Sequence, residues 1–114
     1  LNPIWASREQ VISFLYWLGV PSVYNGYPSL VEALTILAED PSLSITKVLY
    51  PEIAKRTDSG PKAVERNIRS AIEQTWKVRD VERWNQLFPE MSERPSNSQF
   101  FSRALEALRN GHWE

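Results

Sequence analysis

The run PEIAKRTDSGPKAVERNIRSAIEQTWK, residues 51–77, holds two helical patterns separated by a polar turn. Ile53 and Ala54 belong to the first pattern, and Thr57-Asp58-Ser59-Gly60 has the composition of a turn. From Val64 onward the apolar residues recur at helical spacing. With Val64 set at zero and about 100° per residue, Ala71, Val64, Thr75, Ile68, Ile72 and Trp76 fill an arc from about −20° to 120°. Lys62, Arg66, Arg69, Glu73 and Lys77 fall on the far side, between about 140° and 220°. One face of this helix suits a core, and the other presents four cations and one acid. A small Ala54 lets the two helices approach, while Ile53, Val64 and Ile68 supply the wedge between them. This is the layout of a helix-turn-helix.

Outward from that run, every other segment also reads as helix or loop. Ser7-Arg8-Glu9-Gln10 is a capping box, and Val11, Ile12, Leu15 and Leu18 follow on one face until Gly19-Val20-Pro21 stops the helix. Pro28 suits a first turn, and Leu30, Val31, Leu34 and Leu37 give a second helix ending near Asp40-Pro41. A third region starts at Thr46 with Val48 and Leu49 inward, and Pro51 is expected to break or restart it. A fifth helix spans about Asp80 to Phe88. Ser96 or Asn97 caps a last one, with Phe100, Phe101, Ala104, Leu105 and Leu108 inward. No useful strand alternation appears. The expected fold is all-α: six helices in one domain, 1–114, containing the helix-turn-helix, like a winged-helix effector without a wing.

Composition narrows the chemistry. Hydrophobic content of 42% with 24% charged residues is globular, which excludes wholesale disorder. The absence of cysteine removes disulfides, thiolate metal sites and a Cys nucleophile. No apolar run reaches the roughly 20 residues of a membrane span. The chain opens on Leu1 rather than Met, and reads as a piece of something longer. Net charge is −1, yet residues 44–85 hold nine basic and six acidic side chains, so the positive charge is concentrated in the middle. A catalytic or metal role for His112, the only histidine, lacks partners. The acids show no paired acid–base spacing, and four glycines make no phosphate loop. Neither an enzyme nor a cofactor is expected. The five tryptophans read as core or interface residues rather than a stacking platform.

A helix over 61–77 is roughly 25 Å long, enough to lie across a major groove about 12 Å wide. Arginine pairs bidentately with guanine because its planar fork matches two acceptors. Lys62, Glu65, Arg66 and Arg69 are therefore the candidate base contacts, with Glu65 either accepting from cytosine or holding Arg69 at i, i+4. Lys47, Lys55, Arg56, Ser59, Ser70 and Lys77 are the candidate phosphate contacts, which fix register without reading sequence. The bland counterpart is a solvated face: Glu65–Arg69, Arg69–Glu73 and Glu73–Lys77 are ordinary helix pairs.

The segment Ser44-Ile45-Thr46-Lys47-Val48-Leu49-Tyr50-Pro51-Glu52-Ile53-Ala54-Lys55, with Val64-Glu65-Arg66-Asn67-Ile68-Arg69, Ala71-Ile72-Glu73 and Trp76, closely resembles the C-terminal effector domain of the sporulation-initiation response regulator of endospore-forming bacteria. Leu18-Gly19-Val20-Pro21, Gly26-Tyr27 and Pro95-Ser96-Asn97-Ser98-Gln99-Phe100 match in order, so the resemblance runs from about Leu18 to Leu108. It implies six helices and transcriptional control in a two-component system, at short promoter boxes on double-stranded DNA bound in tandem as a dimer. It also implies Glu65, Arg66 and Arg69 as readers, and a phosphorylated receiver domain that relieves inhibition. A cytoplasmic, nucleoid-associated protein follows. The resemblance places an RNA polymerase sigma contact at about Arg79 to Phe88, with Arg79, Glu82 and Arg83 as its candidates.

The chain departs from that pattern where Ala63 replaces an arginine before Val64-Glu65-Arg66, so one base contact is lost or rerouted and the preferred box changes. Asp58-Ser59-Gly60-Pro61 also alters the turn. No sequence pattern for a receiver domain is present. Ala63 and the net charge motivate the alternative, a protein–protein interaction module that kept the fold and lost DNA.

Overall fold

Residues 6–111 and Trp113 are described in the computed structural model of the protein; His112, like Trp5, lies outside them. Six α-helices follow in order: α1 Arg8–Leu18, α2 Tyr27–Glu39, α3 Tyr50–Thr57, α4 Pro61–Val78, α5 Val81–Leu87 and α6 Asn97–Asn110. No strand occurs among the described residues. The helix ends follow local chemistry. Ser7 Oγ accepts from the Gln10 amide while Gln10 Oε1 accepts from the Ser7 amide, and Ser96 and Gln99 repeat the arrangement at α6. Gly19 and Gly111 end α1 and α6 in the left-handed region, at φ 82° and 68°.

Of the two outcomes expected at Pro51, a break or a restart, the structure shows the restart, with the proline in the first turn of α3. Ser44 caps a π-helical turn, Ile45–Leu49, that runs straight into α3, with the Tyr50 amide donating to the Ile45 carbonyl. A proline ring ordinarily collides with the carbonyl four residues back. The wider π winding just before Pro51 moves that carbonyl aside, so the missing amide falls in the first turn of α3, where none is needed. The same winding turns Val48 outward, 42% exposed, while Leu49 is fully buried; the expectation that both face inward is half right. Ile12, read as part of the inner face of α1, also stands out at 39%.

The core is one cluster to which every helix contributes. Val11, Phe14, Leu15 and Leu18 of α1 share it with Leu30, Leu34 and Leu37 of α2, Ile53 and Ala54 of α3, and Phe100, Phe101 and Ala104 of α6. Trp84 seats α5: its ring packs on Phe88, Phe100 and Trp76 with centroids 5.2–6.1 Å apart. Its indole N–H donates to Leu18 O at 3.0 Å, and Arg83 Nη1 donates to Trp17 O at 2.7 Å. Two orphan carbonyls at the end of α1 are thus satisfied by α5, which fixes the corner after α4. At the other end of the chain, Trp113 packs edge-on to Phe14.

Candidate nucleic-acid interface

Helix α4 is positioned by the turn before it and by the face it buries. Asp58 takes the left-handed region (φ 59°, ψ 28°) and ends α3; Gly60 is extended and Pro61 opens α4. That three-residue connection sets α3 beside α4 across the Ile53, Ala54, Val64 and Ile68 contact. Val64, Ile68, Ala71, Ile72 and Thr75 are all at most 2% exposed, and Trp76 is half-buried at the edge. This is the apolar arc read from the sequence. Thr75, the one polar member, returns its hydroxyl to Ala71 O at 2.8 Å.

The opposite face carries the candidate readers. Lys62, Arg66, Arg69, Ser70 and Lys77 are exposed, and Glu65 and Glu73 half-exposed. Arg69 Nη1 lies 3.4 Å from Glu65 Oε1, as the i, i+4 spacing predicts. Glu73 pairs instead with Arg94 of the loop before α6, at 3.2 Å, rather than with Arg69 or Lys77. Among the described residues no carboxylate comes within ion-pair distance of Lys62, Arg66 or Lys77. Eighteen residues make α4 about 27 Å long.

Candidates outside α4 divide. Lys47 is exposed on the π turn without an acid partner among the described residues, and Ser59 is exposed in the turn. Lys55 reaches Glu52 only at 3.9 Å. Arg56 is committed to the protein, with Nη1 3.2 Å from Glu32 and Nη2 3.8 Å from Glu52; Glu32 also holds Arg8 at 3.2 Å. Arg79 folds back over the Trp76 ring at 3.5 Å and donates to Trp76 O at 2.7 Å, closing the end of α4. Arg83 is likewise engaged with α1, whereas Glu82 is exposed.

Two residues that hold α4 were not singled out from the sequence for that role. Gly26, before α2, lies so close to α4 that a Cβ there would sit 2.1 Å from the Asn67 carbonyl oxygen. Asn97, the first residue of α6, is buried and donates through Nδ2 to Tyr50 Oη at 3.0 Å and to Glu65 O at 3.2 Å. Gly26-Tyr27 stood out as part of the family pattern and Asn97 also as a candidate cap, but a turn glycine and a helix-start asparagine have ordinary local readings that do not point to α4.

Burial pushes the Tyr50 hydroxyl above its ordinary ionisation range; the Asn97 hydrogen bond opposes this, the Glu65 charge adds to it and Arg69 opposes it. The unfolded chain then ionises first, so this contribution to stability is intact below about pH 10 and is lost as pH rises through the folded value. Tyr50→Phe is expected to be less stable than the parent at neutral pH by about 1 kcal/mol, with the gap closing above pH 10. Denaturant melts of both chains across the alkaline range check it.

The fold and this surface define an all-helical domain that displays one face of its longest helix. Residues 11–108 match the family model described as sporulation initiation factor Spo0A, C terminal, and the chain belongs to that family. It is a family of DNA-binding regulatory domains, not of enzymes. Among the described residues no group of side chains could hold a metal ion, and no helix is long and apolar enough to cross a membrane.

Proposed function

We propose that the chain is one sequence-specific DNA-binding domain, the effector part of a sporulation-type response regulator, acting on promoter DNA in the cytoplasm. In this reading α3, the turn and α4 are the helix-turn-helix, and α4 enters the major groove. Arg66 and Arg69 pair with base edges, Lys62 compensates in part for the arginine that Ala63 replaces, and Glu65 orients Arg69 or accepts from cytosine. Lys47, Lys55, Ser59, Ser70 and Lys77 meet phosphates on either side. Arg56 joins them only by leaving Glu32, so its contribution is the smallest of the set. Tandem binding and a sigma-subunit contact near Glu82 and Arg83 extend the same reading, with Arg79 serving mainly to close α4.

The observation that carries this reading is the pairing of a fully buried arc on α4 with outward cations, Lys62, Arg66 and Lys77, that no acid among the described residues neutralises. A solvated helix face ordinarily pairs its charges; this one leaves most of its cations available to an anionic partner. Gel shift of the chain on family-type boxes and on mixed-sequence duplex at low salt tests it: a box-selective shift is expected, and silence on both favours the interaction-module alternative. Lys47→Ala and Lys77→Ala should each weaken binding to all duplexes alike. Each should make the log–log salt dependence shallower by about 0.9, measurable by anisotropy titration.

A further inference from the structure

We infer that Asn97 is a positioning residue for base reading: from the start of α6 it sets how far α4 is rolled, and so where Arg66 and Arg69 point. The inference rests on the DNA reading proposed above and deepens it. Residues 65 and 67 lie about 200° apart around a helix, so they mark the two flanks of the buried arc of α4. On one flank the backbone of α4 rests against Gly26, with no room for even a methyl group. On the other, the Glu65 carbonyl is held by Asn97 Nδ2 at 3.2 Å. The arc between these flanks is apolar but for Thr75, whose hydroxyl bonds within α4, and apolar packing alone permits small rolls that a hydrogen bond to the backbone resists. The same amide reaches Tyr50 Oη at 3.0 Å, tying α3, α4 and α6 at one point beside the base-reading side chains.

Asn97 is an unusual choice if stability were its only role. It is 8% exposed, and its Oδ1 is buried with no hydrogen-bond partner among the described residues. An unpaired acceptor away from water costs stability, whereas an apolar side chain there would not. What the amide gives in return is direction: a donor fixed by its own helix and aimed at the main chain of the residue that pairs with Arg69.

The test compares the parent chain with Asn97→Ala, Tyr50→Phe and Leu87→Ala, the last a buried truncation on α5 away from this network. Each is titrated with the duplex recovered by selection on the parent, its single-base-pair variants and mixed-sequence duplex. Asn97→Ala should lower the ratio of selected to mixed-sequence affinity by about tenfold, with salt dependence on mixed duplex unchanged. Tyr50→Phe should lower the ratio less, because it leaves the Glu65 bond in place. Leu87→Ala should melt earlier yet keep the ratio. Without DNA, amide resonances from Lys62 to Arg69 should move in Asn97→Ala and stay in Leu87→Ala. A parent that discriminates, alongside an Asn97→Ala chain that discriminates equally or a Leu87→Ala chain that loses as much, overturns the inference alone. A parent with no sequence preference overturns the DNA reading and this inference together.

Discussion

Gly26→Ala is expected to destabilise the chain by about 3 kcal/mol or more, a larger effect than one added methyl usually has. The backbone at Gly26 is ordinary, with φ −82°, so conformational strain is not the cause. The cause is contact. The new Cβ would lie 2.1 Å from Asn67 O, 2.6 Å from its carbonyl carbon and 3.1 Å from the Ala71 Cβ. A side chain could rotate away; the main chain of an intact helix cannot. The start of α2 and the middle of α4 must therefore separate, opening the core on both sides of the contact. In urea melts the midpoint should fall sharply with the slope retained. A change within about 0.5 kcal/mol would mean that α4 is not pressed against this loop as described. The folded fraction should also bind selected DNA less selectively, because the displaced residue lies between Arg66 and Ile68.

Arg66→Ala should behave in the opposite way, leaving stability within about 0.5 kcal/mol and removing about 1–3 kcal/mol of selective binding. Arg66 is exposed and no carboxylate is within ion-pair distance among the described residues, so folding has little to lose. Arg69→Ala should cost a similar amount in binding, plus a few tenths of a kcal/mol in stability from the lost Glu65 pair. Affinities for the selected box and its single-base-pair variants distinguish the two kinds of contact. Relaxed preference at one base pair marks a reader; an equal loss on every duplex would make that arginine a phosphate contact.

Much of this architecture was legible because local patterns decide it. The buried arc of α4 follows from a 3.6-residue period sustained from Val64 to Trp76, and tertiary packing had nothing to override. The ambiguity between Ser96 and Asn97 as a cap is settled by geometry: Ser96 Oγ accepts from the Gln99 amide. That releases the Asn97 side chain to reach Tyr50 and Glu65, which lie 47 and 32 residues away in sequence. Gly26 and Asn67 meet across 41 positions, the Glu73–Arg94 pair spans 21, and Trp84 reaches back 66 residues to Leu18. No periodicity or spacing rule encodes such pairings. Val48 and Ile12 were misread for a related reason. Their apolar character is local information, whereas the π winding before Pro51 and the docking angle of α1 decide where those side chains point. The candidate readers were legible as a face. Whether each cation was engaged depended on neighbours from elsewhere in the fold, as Arg56 with Glu32 and Arg83 with the Trp17 carbonyl show.

Selection from a random duplex pool, followed by salt-titrated affinity of the winning sequence, tests the proposed role of α4 most directly. The expected result is one short recurrent box, bound about a thousandfold or more above mixed sequence, with affinity falling steeply as salt rises and with Arg66→Ala no longer enriching one of its base pairs. A pool that emerges without a shared sequence, from a folded chain that binds no duplex at low salt, would contradict it.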